Sequence, residues 1–240
     1  LDVIAANRNG PNQIYINGGV NPSTGCIDWY RSNITNQNYD SHQVIVYNMD
    51  GDNDLDIVVA NYGQVNKIYL NNGYNPTTHS FTWADYNVTS DTYNTNSIAV
   101  GYIDNDTWPD IVAGESTYQV NYVYYNGSNG TWSNTWTKCV YTNYPTGYEY
   151  ETIKVLIADM GSSSANSTPD GKLDILVAEE PPPGAPGSAK QERFSIYYQN
   201  SNCSWTVYQP FSNILHKPSE LLINDIDSDG DSRDIVIGHD

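Results

Sequence analysis

Basic residues are scarce in this sequence. Its 240 residues include 10 Lys and Arg but 28 Asp and Glu, so the formal net charge is −18 at pH 7. Binding to nucleic acid or to an anionic membrane surface requires clustered Lys and Arg, so the composition argues against both partners. No apolar run is long enough to cross a bilayer, and membrane insertion is not expected either.

Cysteine is also rare, with only Cys26, Cys139 and Cys203 in the chain. Three cysteines cannot build a framework of several disulfides, and their spacing fits no zinc pattern. Two interpretations stay open. The cysteines are buried or free thiols, or two of them form one disulfide and the third is left over.

Catalytic motifs are missing as well. The sequence has no G-x-S-x-G, no phosphate-cradling glycine loop and no H-E-x-x-H. More than half of the carboxylates lie in repeated loops, and no glycosidase-like pair can be singled out. The histidines show no metal or triad spacing; they are His42, His79, His216 and His239. The sequence therefore favours a non-catalytic protein.

No long stretch shows helical periodicity, which narrows the fold class. Only 38% of the residues are hydrophobic, yet the chain holds 21 Tyr and 6 Trp. Together with many Asn, Ser, Thr and Gly residues, this composition is typical of short strands joined by long polar turns. The chain is predicted to be all-β, and it is long enough for one domain with a sizeable core.

The clearest pattern is NMDGDNDLDIVVANYGQVNKIYLNNG at residues 48–73. It begins with a loop in which oxygen-bearing side chains occupy every second position, namely Asn48, Asp50, Asp52, Asp54 and Asp56. Alternate oxygens on a tightly curled loop can converge on one point, where Ca²⁺ takes about 6–8 oxygen ligands. A buried strand at residues 57–60 and an alternating strand at residues 67–70 follow, up to a hairpin signal at residues 71–73.

The same unit recurs along the chain. The aspartates that close the loops, Asp2, Asp56, Asp110, Asp174 and Asp234, lie 54, 54, 64 and 60 residues apart. A period of this size is typical of propellers and solenoids. Four strands per unit, joined by short antiparallel connections, correspond to one propeller blade. The predicted units are residues 1–40, 42–90, 96–143, 151–209 and, as a partial unit, 220–240.

Within each predicted blade, the first strand lines the central channel, the second and third pack between neighbouring blades, and the fourth lies at the rim. Two insertions, at residues 161–169 and 179–190, are predicted to be exposed loops.

The tryptophans near the rim strands either pack between blades or form a stacking platform for sugars. They are Trp29, Trp83, Trp136 and Trp205.

The segment DGDNDLDIVVANYGQVNKIYLNNG resembles the FG-GAP/VCBS-type repeat of β-propellers, found in integrin α-subunit heads and bacterial surface proteins. The resemblance covers nearly the whole chain as four spans and a partial one. It implies a β-propeller of four-stranded antiparallel blades. Because both ends of the chain carry second strands, the four to five units do not tile into a closed ring. The chain is therefore expected to continue towards six or seven blades, or to be completed by neighbouring chains.

In that family, the acidic loop joins the first two strands of a blade and holds Ca²⁺. The ligands are its first, third, fifth and ninth side chains and its seventh carbonyl. The second loop departs from this pattern because Tyr102 replaces the first ligand, and the third loop is interrupted by an insertion. The resemblance assigns metal binding to Asn48, Asp50, Asp52, Asp54, Asp56, Asp104, Asp106, Asp110, Asp159, Asp170, Asp174, Asp225, Asp227, Asp229, Asp231 and Asp234.

Acidic loops of this kind also occur in EF-hands and as solvated turns. An EF-hand is rejected because strands flank the loops and Val236 stands where the closing Glu is needed. A merely solvated acidic turn remains the alternative to a metal site, and it is stronger for the second loop than for the first.

Triplets of the N-x-S/T type indicate the compartment. Asn105 also begins such a triplet but lies inside an acidic loop, where a glycan would interfere. The predicted glycosylation sites are Asn33, Asn87, Asn126, Asn129, Asn166 and Asn202. Millimolar calcium outside cells favours the same location, so the protein is predicted to be extracellular or at the cell surface.

Repeated calcium loops define an architecture, and function must be argued from elsewhere. The leading hypothesis is a non-catalytic, calcium-stabilised propeller for adhesion, recognition or surface assembly, with a protein or glycan partner. One alternative is a subunit of a glycosylated extracellular fibre or coat that assembles with its own kind. The other is a carbohydrate-binding or polysaccharide-lyase-associated propeller.

Overall fold

The computed structural model describes most of the chain. The described residues are 1–116, 119–127, 131–142, 150–161, 168–182, 192–214, 218–224, 226 and 234–239. Within them the secondary structure is entirely β. No described segment is a helix of the length and apolarity that a membrane span requires.

The described residues form 18 strands. They are β1 (Val3–Ala5), β2 (Arg8–Gly10), β3 (Gln13–Val20), β4 (Ile27–Asn33), β5 (Tyr39–Tyr47), β6 (Asp56–Asn61), β7 (Lys67–Asn75), β8 (Ser80–Asn87), β9 (Thr95–Gly101), β10 (Asp110–Glu115), β11 (Tyr122–Asn126), β12 (Trp136–Val140), β13 (Glu151–Ala158), β14 (Asp174–Glu180), β15 (Glu192–Ser201), β16 (Ser204–Ile214), β17 (Pro218–Asn224) and β18 (Asp234–His239).

These strands form successive antiparallel sheets in which neighbours in sequence are neighbours in space. The sheet orders are β1-β3-β4, β2-β5-β6-β7-β8, β9-β10-β11-β12, β13-β14-β15-β16 and β17-β18. The first strands of the sheets, β5, β9, β13 and β17, contact one another in series. The sheets therefore fan out from a line of innermost strands, and the predicted all-β, propeller-like arrangement of antiparallel sheets is confirmed. The third and fourth sheets have the predicted four strands, and the second has a fifth, β2.

Burial follows the position of each strand within its sheet. The second strands β6 and β10 are buried along their whole length, because neighbouring sheets cover both faces. The rim strands are partly or largely exposed; β4, for example, has almost every residue in contact with solvent. This is the radial gradient that the sequence predicted for a blade.

Three details differ from the prediction. Glu179 and Glu180 were predicted to begin the exposed loop at residues 179–190, but they end β14, and Glu179 is fully buried. Strand β2 was not predicted; it joins β1 to β3 and pairs with the start of β5 in the next sheet. Strand β7 does not stop at Asn71-Asn72-Gly73 but runs on to Asn75. Gly73 has φ 110° and the register shifts between Asn71 and Tyr74, so these residues form a bulge, and the turn comes later.

The interfaces between sheets are apolar at their centres. Between the second and third sheets, Val58, Ile68 and Leu70 pack against Ile98 and Val100. Three of the four rim tryptophans pack against such interfaces, namely Trp83, Trp136 and Trp205. Trp29 is the exception, with 45% of its surface exposed. Packing between blades therefore accounts for three of the four.

Buried hydrogen bonds connect each of the first three sheets to the next at equivalent positions. The amide groups of Asn12 and Asn66 each donate to a hydroxyl on the innermost strand of the following sheet. At the next interface the donor is the Thr152 hydroxyl and the acceptor is the Asn121 amide oxygen. The pairs are Asn12–Ser41 at 2.9 Å, Asn66–Thr95 at 2.9 Å and Asn121–Thr152 at 3.0 Å. We call these contacts the inter-sheet latches.

A disulfide links the rims of the third and fourth sheets. It joins Cys139 on β12 to Cys203 in the β15–β16 turn, 64 residues apart. Cys26 is free and exposed. Of the two cysteine interpretations, one bridge with a leftover thiol is therefore correct. The interpretation in which all three cysteines are thiols is wrong, because the packing of adjacent blades brings Cys139 and Cys203 together.

Candidate functional site

The acidic loops occupy equivalent places in the fold. Each one follows the innermost strand of a sheet and precedes the second strand, so all lie at the same end of the innermost strands. In the first complete unit the loop follows β5 and ends where Asp56 begins β6. The fold thus repeats the same acidic connection from sheet to sheet, as the sequence predicted.

The last aspartate of each described loop is a buried acceptor of backbone amides. Asp56 accepts from Met49 N–H at 2.7 Å and from Asn71 N–H at 2.8 Å. Asp110 and Asp174 repeat this arrangement: Asp174 takes one N–H from its own loop, Asp110 takes two, and each takes one from the third strand. Asp234 accepts the equivalent loop N–H from Ile226 at 2.7 Å. We call this arrangement the aspartate clamp, since it ties the loop to the third strand.

The other oxygens of the first loop bond within the loop. Asn48 accepts from Gly51 N–H at 2.7 Å, and Asp52 accepts from Asp54 N–H at 2.8 Å. Asp50 makes a longer contact of 3.3 Å with Asp52 N–H. A carboxylate oxygen that accepts one hydrogen bond keeps a free lone pair, so these bonds are compatible with a further ligand.

The carboxylates of the first loop are close enough to perturb one another. Burial raises the pKa of Asp50, and the negative charge of Asp52 adds to this increase. Burial also raises the pKa of Asp56, with smaller contributions from the charges of Asp50 and Asp52. A cation in the loop would relieve this repulsion, so the donor chemistry suits a hard divalent ion.

The second loop receives a side chain from the neighbouring sheet. Asn202, in the β15–β16 turn beside the disulfide, donates through Nδ2 to Asp104 Oδ2 at 3.3 Å. Burial raises the pKa of Asp104, and it raises the pKa of the clamp residue Asp110 to about 7. Tyr102, at the position of the missing first ligand, is 40% exposed.

The third loop is closed around one carboxylate. Asp159 accepts from the N–H groups of Gly161 and Asp170, both at 3.0 Å, and from Gly171 N–H at 2.7 Å. The body of the insertion, residues 162–167, lies outside the described residues. So do residues 183–190 of the second insertion and the predicted ligands Asp225, Asp227, Asp229 and Asp231.

The predicted ligands share loops without converging on one centre. Among the described residues, no group of three or more His, Cys, Asp or Glu side chains is arranged to hold a metal ion. In the first three loops the carboxylates accept backbone N–H groups of the protein. The chemistry of the donor set fits calcium, and the site residues stay a prediction.

The predicted glycosylation sites differ in accessibility. Asn33 and Asn87 are exposed at the ends of rim strands. Asn126 is 1% exposed at the end of β11, so a glycan there would have to displace a buried side chain, and its glycosylation stays a prediction. Asn202 is exposed, but its amide nitrogen is engaged by Asp104. Asn129 and Asn166 lie outside the described residues.

Sequence reasoning missed the latch residues, although a signal for them exists. Asn12, Asn66 and Asn121 each begin the pattern N-x-[IV]-Y. A polar residue at the start of a buried strand, repeated once per unit, indicates a buried hydrogen bond. The clamp residues were predicted, but only in the role of metal ligands.

Comparison with known proteins agrees with the repeat. Residues 48–113 match the family model of an FG-GAP-like repeat, which spans the first complete acidic loop through the second. This part of the chain is therefore an FG-GAP-type repeat. A search of curated proteins found no significant match.

Proposed function

We propose, starting from the FG-GAP-type repeat and the fan of antiparallel sheets, that this protein is a non-catalytic, calcium-stabilised extracellular scaffold for adhesion, recognition or surface assembly. The observation that carries the proposal is the recurrence of an aspartate-clamped acidic loop at the same place in successive sheets. An acidic loop kept at the same place in every blade is best explained by an ion that each blade uses.

In the first loop, Asn48, Asp50, Asp52 and Asp56 would hold calcium, together with the carbonyl of Asp54. In the second loop, the calcium ligands would be Asp104, Asp106 and Asp110. Asn202 stands next to Asp104 and could compensate for Tyr102. Bound calcium supplies positive charge that offsets the repulsion between the loop carboxylates and fixes the loop. The aspartate clamp would hold the end of each loop in place before the ion binds.

Two features support an extracellular location. The Cys139–Cys203 disulfide suits an oxidising compartment. Asn33 and Asn87 are exposed acceptors on the rim, where a glycan would not disturb the interfaces between blades. Mass spectrometry of natively produced protein tests this location: glycans on Asn33 or Asn87 would support it, whereas unmodified residues and a reduced Cys139 would contradict it.

Calcium dependence is tested by thermal unfolding of the purified protein in EDTA and in increasing calcium. A ligand that binds only the folded state stabilises it by about 2.7 kcal/mol at 100 times its Kd, so EDTA should lower the Tm. Asp52→Ala should reduce the calcium-dependent gain more than Asp106→Ala, because the second loop lacks its first ligand. A Tm that does not respond to EDTA or calcium would refute calcium stabilisation.

The kind of partner needs separate experiments. Binding on a glycan array would favour a carbohydrate-binding propeller. Filaments or sheets in electron micrographs of the native material would favour a fibre or coat subunit. Depolymerisation of an acidic polysaccharide would favour an enzyme. The leading proposal predicts binding to a surface protein or glycan without turnover.

A further inference from the structure

A polar cleft lies at the end of the innermost strands opposite the acidic loops. It has a volume of about 520 Å³. Its lining comes from the first residues of β5, β9 and β13 and from the connections that pair with them. The side chains that matter here are Arg8, Asp40, His42, Tyr62, Asn96 and Glu151.

Hydrogen bonds fix the floor of the cleft. Asn96 uses its Nδ2 group to donate to Glu151 Oε1 at 3.3 Å and to the Thr152 carbonyl at 3.0 Å. Its Oδ1 atom therefore accepts from His42 Nδ1–H, at 2.9 Å. The His42 ring stacks on Tyr62 with centroids 4.9 Å apart. These contacts orient polar groups from three neighbouring sheets towards one space.

Acceptors in the cleft have capacity that the protein does not use. The other ring nitrogen of His42, Nε2, lies 3.6 Å from Asp40 Oδ1, which is too long for a hydrogen bond. Asp40 Oδ1 is buried and has no hydrogen-bond partner among the described residues. A buried acceptor without a donor costs free energy, and 29% of the Asp40 side chain is exposed, so a ligand that supplies a donor to this carboxylate would be favoured.

The charges of the lining select the class of ligand. Asp40 and Glu151 disfavour a simple anion, and Arg8, which forms no ion pair within the described part of the chain, disfavours a simple cation. A hydroxyl group donates one hydrogen bond and accepts others, so it suits the carboxylates and the guanidinium alike. Several hydroxyls on one rigid framework would satisfy the groups around this cleft together.

We propose that this cleft binds a neutral polyhydroxylated ligand, a saccharide. In the bound state, Asp40 and Glu151 accept hydrogen bonds from ligand hydroxyls, and Arg8 donates to them. This inference rests on the recognition role of the proposed function and assigns a site and a ligand class to it. It does not depend on calcium, because the acidic loops lie at the other end of the innermost strands, so a failed calcium test would leave it standing.

The test is ligand-observed NMR on the intact protein, with N-acetylglucosamine, galactose, mannose and cellobiose as probes at millimolar concentration. Putrescine and acetate serve as charged probes of similar or smaller size. Asp40→Ala and Arg8→Ala remove one acceptor and one donor from the cleft. The matched control is Asp28→Ala, which removes an exposed carboxylate on the rim strand β4.

At least one saccharide should bind, and Asp40→Ala should weaken binding about tenfold or more, since a hydrogen bond to a charged group is lost. Arg8→Ala should also weaken it, and Asp28→Ala should leave it unchanged. The Tm of each variant shows whether it is folded, and Arg8, being exposed, provides the second variant if Asp40→Ala unfolds. The proposal is overturned if no saccharide binds, if a charged probe binds better, or if neither cleft variant differs from the control.

Discussion

Glu115 makes the stability of this protein depend on pH in an unusual direction. It ends β10, is fully buried, and takes the place that Asn61 occupies in the preceding sheet. Burial raises the pKa of Glu115 from 4.5 to about 8; the Thr95 hydroxyl and Lys138 oppose this increase, and the charge of Asp91 adds to it. The folded protein therefore keeps a proton on Glu115 at pH values where the unfolded chain has lost it.

The sign follows from the proton count. Between pH 4.5 and about 8 the folded state binds one more proton at this residue than the unfolded state, so the free energy of unfolding falls as the pH rises. The loss is about 1.4 kcal/mol for each pH unit, or about 5 kcal/mol over the whole interval. Glu115→Gln keeps the shape of the side chain, removes the titration and should abolish this part of the slope.

The measurement is urea unfolding of the wild type and of Glu115→Gln at several pH values between 5 and 8. Glu220→Gln is the control, because the pKa of Glu220 lies below its usual value. Burial alone would raise that pKa, but the Leu221 N–H group and the Lys154 ammonium lower it. Its titration therefore affects stability only at lower pH. Equal slopes for the wild type and Glu115→Gln would show that this account of Glu115 is wrong.

Three further substitutions test the architecture. Asp56→Asn turns one clamp acceptor into a donor and should lower the free energy of unfolding in urea by about 2–4 kcal/mol. The control Asp54→Asn, at an exposed position, should lower it little, and similar losses for the two variants would contradict the clamp. Asn66→Ala removes the donor of one inter-sheet latch and should lower the free energy of unfolding by about 2 kcal/mol. In a double-mutant cycle its effect should be coupled to that of Thr95→Val, and purely additive losses would exclude the latch. Reduction of the 64-residue disulfide loop, or Cys203→Ser, should cost about 4 kcal/mol by loop entropy, and an unchanged Tm in dithiothreitol would argue against the bridge.

Much of the fold could be predicted from the sequence because each blade repeats its own local signals. The apolar run after each acidic loop and the period of the closing aspartates place the second strands correctly, as in β6 and β10. The predictions that were wrong concern single strand ends and turns. Gly73 signals a turn in the sequence, yet its positive φ serves a bulge inside β7.

The candidate sites were less accessible to sequence reasoning. Spacing shows that Asp56 is placed among oxygen-bearing neighbours, but it cannot show that both of its oxygens accept backbone amides, one of them from Asn71. His42 belongs to no recognisable motif because its neighbours Asn96 and Glu151 come from two other blades. Such a cleft exists only after the blades have packed.

The hydrogen bonds that close the third acidic loop around Asp159 allow the length and sequence of its insertion to vary. Gly161 and Asp170 both donate to the same Asp159 oxygen at 3.0 Å, so the chain leaves and returns at a single anchored point. The entropic cost of lengthening a segment between fixed ends grows only slowly with its length. Evolution could therefore vary the residues between them freely, and an engineer could graft a foreign epitope there and expect the neighbouring strands to keep their register.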